Sequence, residues 1–244
     1  MDMQTQPFIQ LCNISYRYAL TSGPVLHNLD FDVSDERIGL IGPNGSGKTT
    51  LFQIMVGLLS PDSGQVFFEG QEMRREKDFR LLRRQVGFLF QSADDQLFSP
   101  TVLEDVAFGP LNLGCSPQEA QDIATQTLKE LGLGGFEDRI THRLSGGEKK
   151  LVALATILAM KPRLLLLDEP TNNLDPATRN RLMDILQGLP QAQIIISHDW
   201  DFLARTTSHL YTLEHGHLHR CDHDHIHSHQ HIHRYGDHPH QHSD

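Results

Sequence analysis

Eight consecutive residues, Gly42-Pro43-Asn44-Gly45-Ser46-Gly47-Lys48-Thr49, with Thr50 behind them, have the types and spacing to hold a polyphosphate. Glycines let the backbone bend until successive N–H groups point at one anion, and a helix beginning there adds its partial positive charge. Lys48 would reach the β- and γ-phosphates as a point charge, and the Thr49 hydroxyl would hold Mg²⁺. A loop of this composition could also bind nothing. The flanks argue otherwise: the apolar run 37–41 precedes it and Leu51-Phe52-Gln53-Ile54-Met55-Val56 follows, a strand–loop–helix order. The reading is a nucleoside triphosphate site.

Two carboxylates stand where such a site needs them. Leu164-Leu165-Leu166-Leu167 reads as a buried strand that ends in Asp168-Glu169. Acidic groups at the carboxyl end of a parallel strand sit where α/β sheets bind ligands. Asp168 would hold Mg²⁺ through water, and Glu169 would orient and deprotonate an attacking water. They could also merely open the turn before Pro170. His198 follows the next buried run, residues 193–197, on the same expected sheet edge. It could be structural or reach a γ-phosphate.

The segment Leu144-Ser145-Gly146-Gly147-Glu148 is a capping box opening an apolar helix over 151–160. Two glycines in a first turn cost about 1 kcal/mol each relative to alanine. They make sense if the backbone approaches an anionic ligand; the segment is equally consistent with a capped helix alone.

The elements that must position these groups follow from pattern. Residues 8–11 and 29–33 read as strands flanking a turn at 21–24, and Tyr18 as a strand residue packing on a core, with a ring also able to stack on a purine. Residues 65–70 read as a strand, 71–84 as a charged solvated surface, and 86–90 as a buried strand delivering Gln91 to a loop. From there to about Met160 the reading is helical, with capping boxes at Thr101/Glu104 and Ser116/Glu119 and a stop at Gly132. This block interrupts an αβ pattern and reads as a helical lobe, residues 92–161. Asp175-Pro176 opens a further helix ending near Gly188, and residues 211–214 close the folded part.

Composition narrows the classes. The 244 residues suffice for one large domain or a domain with a lobe. A formal net charge of −10 argues against nucleic acid as a partner. Cys12, Cys115 and Cys221 are scattered and odd in number, as expected of a reducing cytoplasm. The start Met1-Asp2-Met3-Gln4 does not read as a secretion signal, and no apolar run approaches the roughly 20 residues needed to span a bilayer.

Taken together, residues 5–220 resemble the ATP-binding subunit of an ABC transporter. Lys48 and Thr49 match its Walker A positions, Gln91 the Q-loop, Leu144 to Glu148 the signature, and Leu164 to Asp168 Walker B with Glu169 as catalytic base. Asn173-Leu174-Asp175 match the D-loop, His198 the switch histidine, and Tyr18 the adenine-stacking aromatic. The resemblance implies an α/β P-loop NTPase with an ABC-type core, an antiparallel β subdomain and an inserted helical subdomain. It implies ATP and Mg²⁺, the latter on Thr49, Gln91 and Asp168. It further implies a second ATPase subunit, most simply in a homodimer, whose signature completes each ATP site. Asp94-Asp95-Gln96-Leu97 and the stretch to Pro110 are similar to energy-coupling factor importers, in particular the cobalt and nickel branch. In that branch these residues form the groove for a transmembrane scaffold subunit, working with a substrate-binding membrane subunit at the cytoplasmic face. Two departures stand out: Leu151 replaces the family's usual arginine, and Asp35-Glu36-Arg37 its glycine turn. Neither touches a catalytic position, so activity is expected to survive.

Twelve of the sixteen histidines fall between His215 and His242. The alternation of His223, His225, His227, His229, His231 and His233 in a segment nearly free of apolar residues reads as a disordered tail, placing the domain boundary at 214. Imidazoles suit nickel, cobalt, zinc and copper. The expected function is an ATPase subunit driving uptake of Ni²⁺ or Co²⁺. The alternatives are another cargo such as zinc or a vitamin, a soluble ABC ATPase outside transport, or a metal-storage protein.

Overall fold

The computed structural model describes residues 6–19 and 23–221. Two sheets organise it. Strands β1 (Ile9–Tyr16), β2 (Leu26–Val33), β4 (Ser63–Phe68) and β5 (Gln71–Glu72) form an antiparallel sheet in the order β2-β1-β4-β5. Strands β3 (Arg37–Ile41), β6 (Val86–Leu89), β7 (Leu164–Asp168), β8 (Ala192–Ile196), β9 (His209–Glu214) and β10 (His217–Cys221) form the second, in the order β10-β9-β3-β8-β7-β6. That sheet is parallel except for the closing β9–β10 hairpin.

The leucine run of β7 shows why it sits centrally. Leu165 and Leu167 pack into one apolar cluster with the helical lobe, while Leu164 and Leu166 pack into the other, between the sheets. Both faces are buried, as a parallel strand requires, and each fully buried leucine contributes about 1.5–3 kcal/mol of transfer free energy. Helix α1 (Lys48–Met55) lies in the second cluster, burying Leu51, Phe52, Ile54 and Met55. The lobe consists of α3 (Val102–Asn112), α4 (Pro117–Glu130) and α5 (Gly146–Leu158), each opened by the capping box expected from sequence. Helix α6 (Pro176–Gly188), capped by Asp175, and α7 (Trp200–Thr206), capped by Asp199, complete the fold.

The charged surface expected over residues 71–84 has secondary structure of its own, and the expected end of the fold is corrected. The charged segment after β4 holds β5 and a helix, α2 (Glu76–Arg83), whose Leu82 is fully buried while Leu81 is 59% exposed. One buried position among charges leaves little periodic signal. The fold also does not close at 214: β10 pairs with β9 in register from His217↔Glu214 to Cys221↔Leu210. Its histidines masked a strand that only cross-strand pairing stabilises. The histidines from His223 onward lie outside the described residues.

Candidate ATP site

The phosphate loop joins β3 to α1, and its glycines are demanded by space and by φ. Gly42 has φ +141°, and a Cβ there would stand 2.3 Å from the Leu213 carbonyl oxygen. Gly47 caps α1 at φ 103°, and a Cβ there would meet a Val25 methyl at 2.8 Å. Inside this turn the Lys48 ammonium, 7% exposed, donates to the carbonyls of Gly42 at 2.8 Å and Pro43 at 3.0 Å. Burial lowers the Lys48 pKa, and the nearby Glu169 and Asp168 carboxylates oppose that shift.

Strand β7 delivers the carboxylates. Thr49 Oγ1 donates to Asp168 Oδ2 at 2.7 Å. Burial raises the Asp168 pKa, against the Thr49 hydrogen bond and the charges of Lys150 and Lys48. Glu169 adopts φ +46°, a left-handed conformation costly for a side chain of its type, with its N–H bonded to Ile196 O at 2.9 Å. Both Glu169 carboxylate oxygens are buried without a hydrogen-bond partner, and burial raises its pKa too. His198 Nε2 lies 3.2 Å from Glu169 Oε1, close enough for ion pairing when protonated but not aligned as a hydrogen bond. An oxygen-rich set built from Thr49, Asp168 and Glu169, whose oxygens carry no well-aligned hydrogen bond, fits a hard divalent cation and a water.

A cavity of about 640 Å³ opens beside these groups, lined by Thr49, Gln91, Asp168 and Asn173 on one side and Gly146 and Lys149 on the other. Gln91 and Asn173 therefore line the same space as Asp168. The Tyr18 hydroxyl pairs with Thr50 Oγ1 at 2.9 Å and its ring stands edge-on to Tyr16, so it flanks the start of α1. Pro43, Asn44, Gly45 and Ser46 form the crown of the loop, with Ser46 N–H bonded to Pro43 O at 3.2 Å.

The signature turn reaches this cavity through Gly146 alone, and the polar groups of Ser145 and Glu148 close on each other. Ser145 N–H and Oγ both donate to Glu148 Oε2 at 2.8 Å, and Arg139 pairs with Glu148 Oε1 at 2.9 Å. The backbone and side-chain bonds from Ser145 hold the Glu148 pKa below the usual carboxylate range. Leu144 is buried, and Gly147 lies against Thr178 of α6. In the D-loop, Asn173 is left-handed at φ 60°, Leu174 packs on the core, and Asp175 caps α6 through Ala177 and Thr178 N–H groups.

Among the four groove residues, Asp94 pairs with Lys149 at 2.6 Å, Asp95 lines the cavity and Leu97 lines a second one. Gln96 turns inward instead: its Oε1 accepts from Phe90 N–H at 3.1 Å and its amide donates to Ala153 O at 3.0 Å. Leu151 is 2% exposed inside the lobe's own core, so apolar packing replaces the arginine of the resemblance.

Two residues escaped sequence reading. Lys150, 4% exposed, donates to Gln91 O at 2.7 Å and Phe90 O at 3.2 Å, tying the signature helix to the Q-loop backbone. Burial lowers its pKa, with Asp168 and Glu169 opposing. Arg179 of α6 grips Asp199 through Nε at 2.5 Å and Nη2 at 2.8 Å, beside His198. A lone lysine or arginine in a helix carries no local signal of such a partner.

Residues 26–172, more than half of the chain, match the family model described as ABC transporter. The chain belongs to the ABC transporter family. A relative from Nitratidesulfovibrio vulgaris, named as an ABC transporter ATP-binding protein, is 57% identical over 88% of this chain and 79% of its own length. The energy-coupling factor transporter ATP-binding protein EcfA of Methanothermobacter thermautotrophicus is 44% identical over 86% and 69%. Among solved structures, cbiO1 of Clostridium perfringens, part of the ABC transporter complex cbiONQ, superposes with a TM-score of 0.79 at 30% identity, covering 93% of this chain and 92% of that one. The ATP-binding cassette MJ0796, solved as a dimer with ADP and Pi, superposes with 0.79 at 27% identity over 87% and 97%. This ABC ATPase binds ATP and hydrolyses it for transport.

Proposed function

We propose that this ABC ATPase is the energising subunit of an energy-coupling factor importer for a divalent transition metal, Ni²⁺ or Co²⁺. The observation that carries the importer reading is an apolar face on the helical lobe. Phe98, Phe108 and Leu111 stand exposed, with Phe98 and Phe108 rings edge to face at 4.8 Å. A cavity of about 370 Å³ lined by Pro100, Leu103, Phe108 and Leu111 lies there, and Asp94 and Leu97 line the adjoining one. A monomer leaves such a patch exposed when another chain covers it; its occupant in this reading is a helix of the transmembrane scaffold subunit. Likeness to EcfA and cbiO1 supports the assignment. Among the described residues no helix is long and apolar enough to cross a membrane, so the ATPase meets the bilayer through its partners. The metal cargo is supported by the histidine-rich sequence from His215 to His242.

In this reading the loop N–H groups and Lys48 hold the β- and γ-phosphates, and Tyr18 stacks on the adenine. Thr49, Asp168 and Gln91 would hold Mg²⁺, which when bound neutralises developing phosphate charge. Glu169 orients the attacking water and takes its proton, a task suited to a carboxylate with a raised pKa. His198 faces the γ-phosphate, next in the chain to the Asp199 that Arg179 grips. The signature residues Ser145 and Gly147 serve the ATP of a second copy, and Asn173 to Asp175 line the seam.

The test is radiolabelled nickel and cobalt uptake by cells expressing this chain with its membrane subunits, compared with Glu169→Gln. Uptake of one metal that disappears in the variant is the expected result. If neither metal accumulates above the variant although the complex assembles, the cargo is a different one.

A further inference from the structure

The β9–β10 hairpin turns on two residues with positive φ, His215 at 51° and Gly216 at 81°, the twist that suits a two-residue connection. Its Gly216 carbonyl accepts the His27 N–H at 2.9 Å, docking the hairpin against β2. That bond brings two imidazoles together from opposite ends of the chain. The His27 and His217 ring centroids are 5.2 Å apart, and both residues are exposed. His219, two residues along the strand and so on the same face, has its ring 6.4 Å from that of His217. His209 is engaged elsewhere, its Nδ1 2.9 Å from Arg220 Nη2.

We propose that His27 and His217 form an imidazole seat for a divalent first-row transition cation, with His219 as a third ligand after rotation of its side chain. With metal–nitrogen distances of about 2.0–2.1 Å, two rings sharing one cation have centroids about 4.5–5 Å apart, close to the spacing found. Neutral imidazole nitrogens suit nickel, cobalt, copper and zinc, whereas magnesium and calcium require oxygen ligands. Among the described residues no three histidine, cysteine or carboxylate side chains are gathered for a metal as they stand, so His219 must move and water fills the remaining positions. The seat lies behind the phosphate loop: Val25 packs on Gly47, and Leu213, next to the turn, abuts Gly42. The inference does not rest on the cargo assigned above, and a failed uptake assay leaves it standing.

Ligands adjacent in sequence are available whether or not the chain is folded. His27 and His217 meet only in the folded protein, so a cation bound there raises thermal stability. The experiment is thermal unfolding of the full chain with Ni²⁺, beside His27→Ala, together with diethylpyrocarbonate labelling read by mass spectrometry. At a hundredfold excess over the dissociation constant the wild-type Tm should rise by about 5–10 °C. His27→Ala should lose most of that rise while matching wild type without metal, because His27 is exposed. Ni²⁺ should protect His27 and His217 from labelling, and Mg²⁺ should not. An equal rise in both proteins, no rise at all, an unprotected His27, or protection by Mg²⁺ would each overturn the proposal.

Discussion

Glu169 should be a residue that costs the fold stability while it serves the reaction, and Glu169→Gln separates the two. Its carboxylate oxygens are buried with no well-aligned hydrogen bond, and burial outweighs the opposing pull of the His198 ring, the His198 backbone N–H and Lys48 on its pKa. The folded pKa is thus raised above 4.5, so the folded state holds the proton more tightly than the unfolded chain. Stability from that protonation is fully present below the unfolded value and is lost as pH rises through the folded one. Glutamine keeps a neutral head group at every pH and escapes the loss. Relief from burying an ionised group, less the lost attraction to His198 and Lys48, is on the order of 1 kcal/mol. For a domain of this size that corresponds to roughly 2–4 °C. Thermal unfolding without nucleotide or metal should show Glu169→Gln melting above wild type at pH 7.5 and converging with it near pH 4. ATP turnover should fall by about 10²-fold or more, as expected when a general base is removed. A variant that melts at or below wild type at pH 7.5, or by a difference independent of pH, refutes the reasoning.

Lys150→Met strips the Phe90 and Gln91 carbonyls of their buried donor, and urea unfolding should show a loss of about 1–3 kcal/mol, since replacing one partner only leaves the other unsatisfied. Unchanged stability would mean that water takes over both carbonyls. Gly42→Ala places a Cβ 2.3 Å from the Leu213 carbonyl oxygen at φ +141°, so nucleotide binding measured with a fluorescent ATP analogue should weaken at least tenfold. Retained affinity would show that the loop can shift without moving its N–H groups. Arg179→Ala frees Asp199 beside His198, and steady-state kinetics should show kcat falling several-fold with KM little changed. A rise in KM with unchanged kcat would assign Arg179 to binding instead.

Much of the site was legible because its chemistry is local. A strand, a glycine turn and Lys48-Thr49 within the thirteen residues 37–49 specify a phosphate loop wherever they occur, since turn geometry and helix dipole depend only on neighbours. The three lobe helices were marked by capping boxes at Thr101, Ser116 and Ser145, each closed within four residues. The buried runs ending in Asp168 and before His198 announced parallel strands through continuous apolar character.

What escaped was decided across the fold. Lys150 and Arg179 read as ordinary helix cations, and only packing set one beneath the Q-loop carbonyls and the other beside Asp199. Gln96 turned inward because α5 offered it partners about 60 residues away. Helix α2 was hidden by charge, since Leu82 and a half-buried Phe79 suffice to dock it. The last strand was hidden by histidines, because β10 owes its place to pairing with β9 and to the His27–Gly216 bond. The same folding that seats β10 brings His27 beside His217, a meeting that a chain read in one dimension does not contain. Sequence by itself determined the family, the phosphate loop and the order of the catalytic groups, all products of short-range rules. The tertiary structure alone decided which distant side chains share a carbonyl, a carboxylate or a surface, because burial and contact are properties of the packed chain.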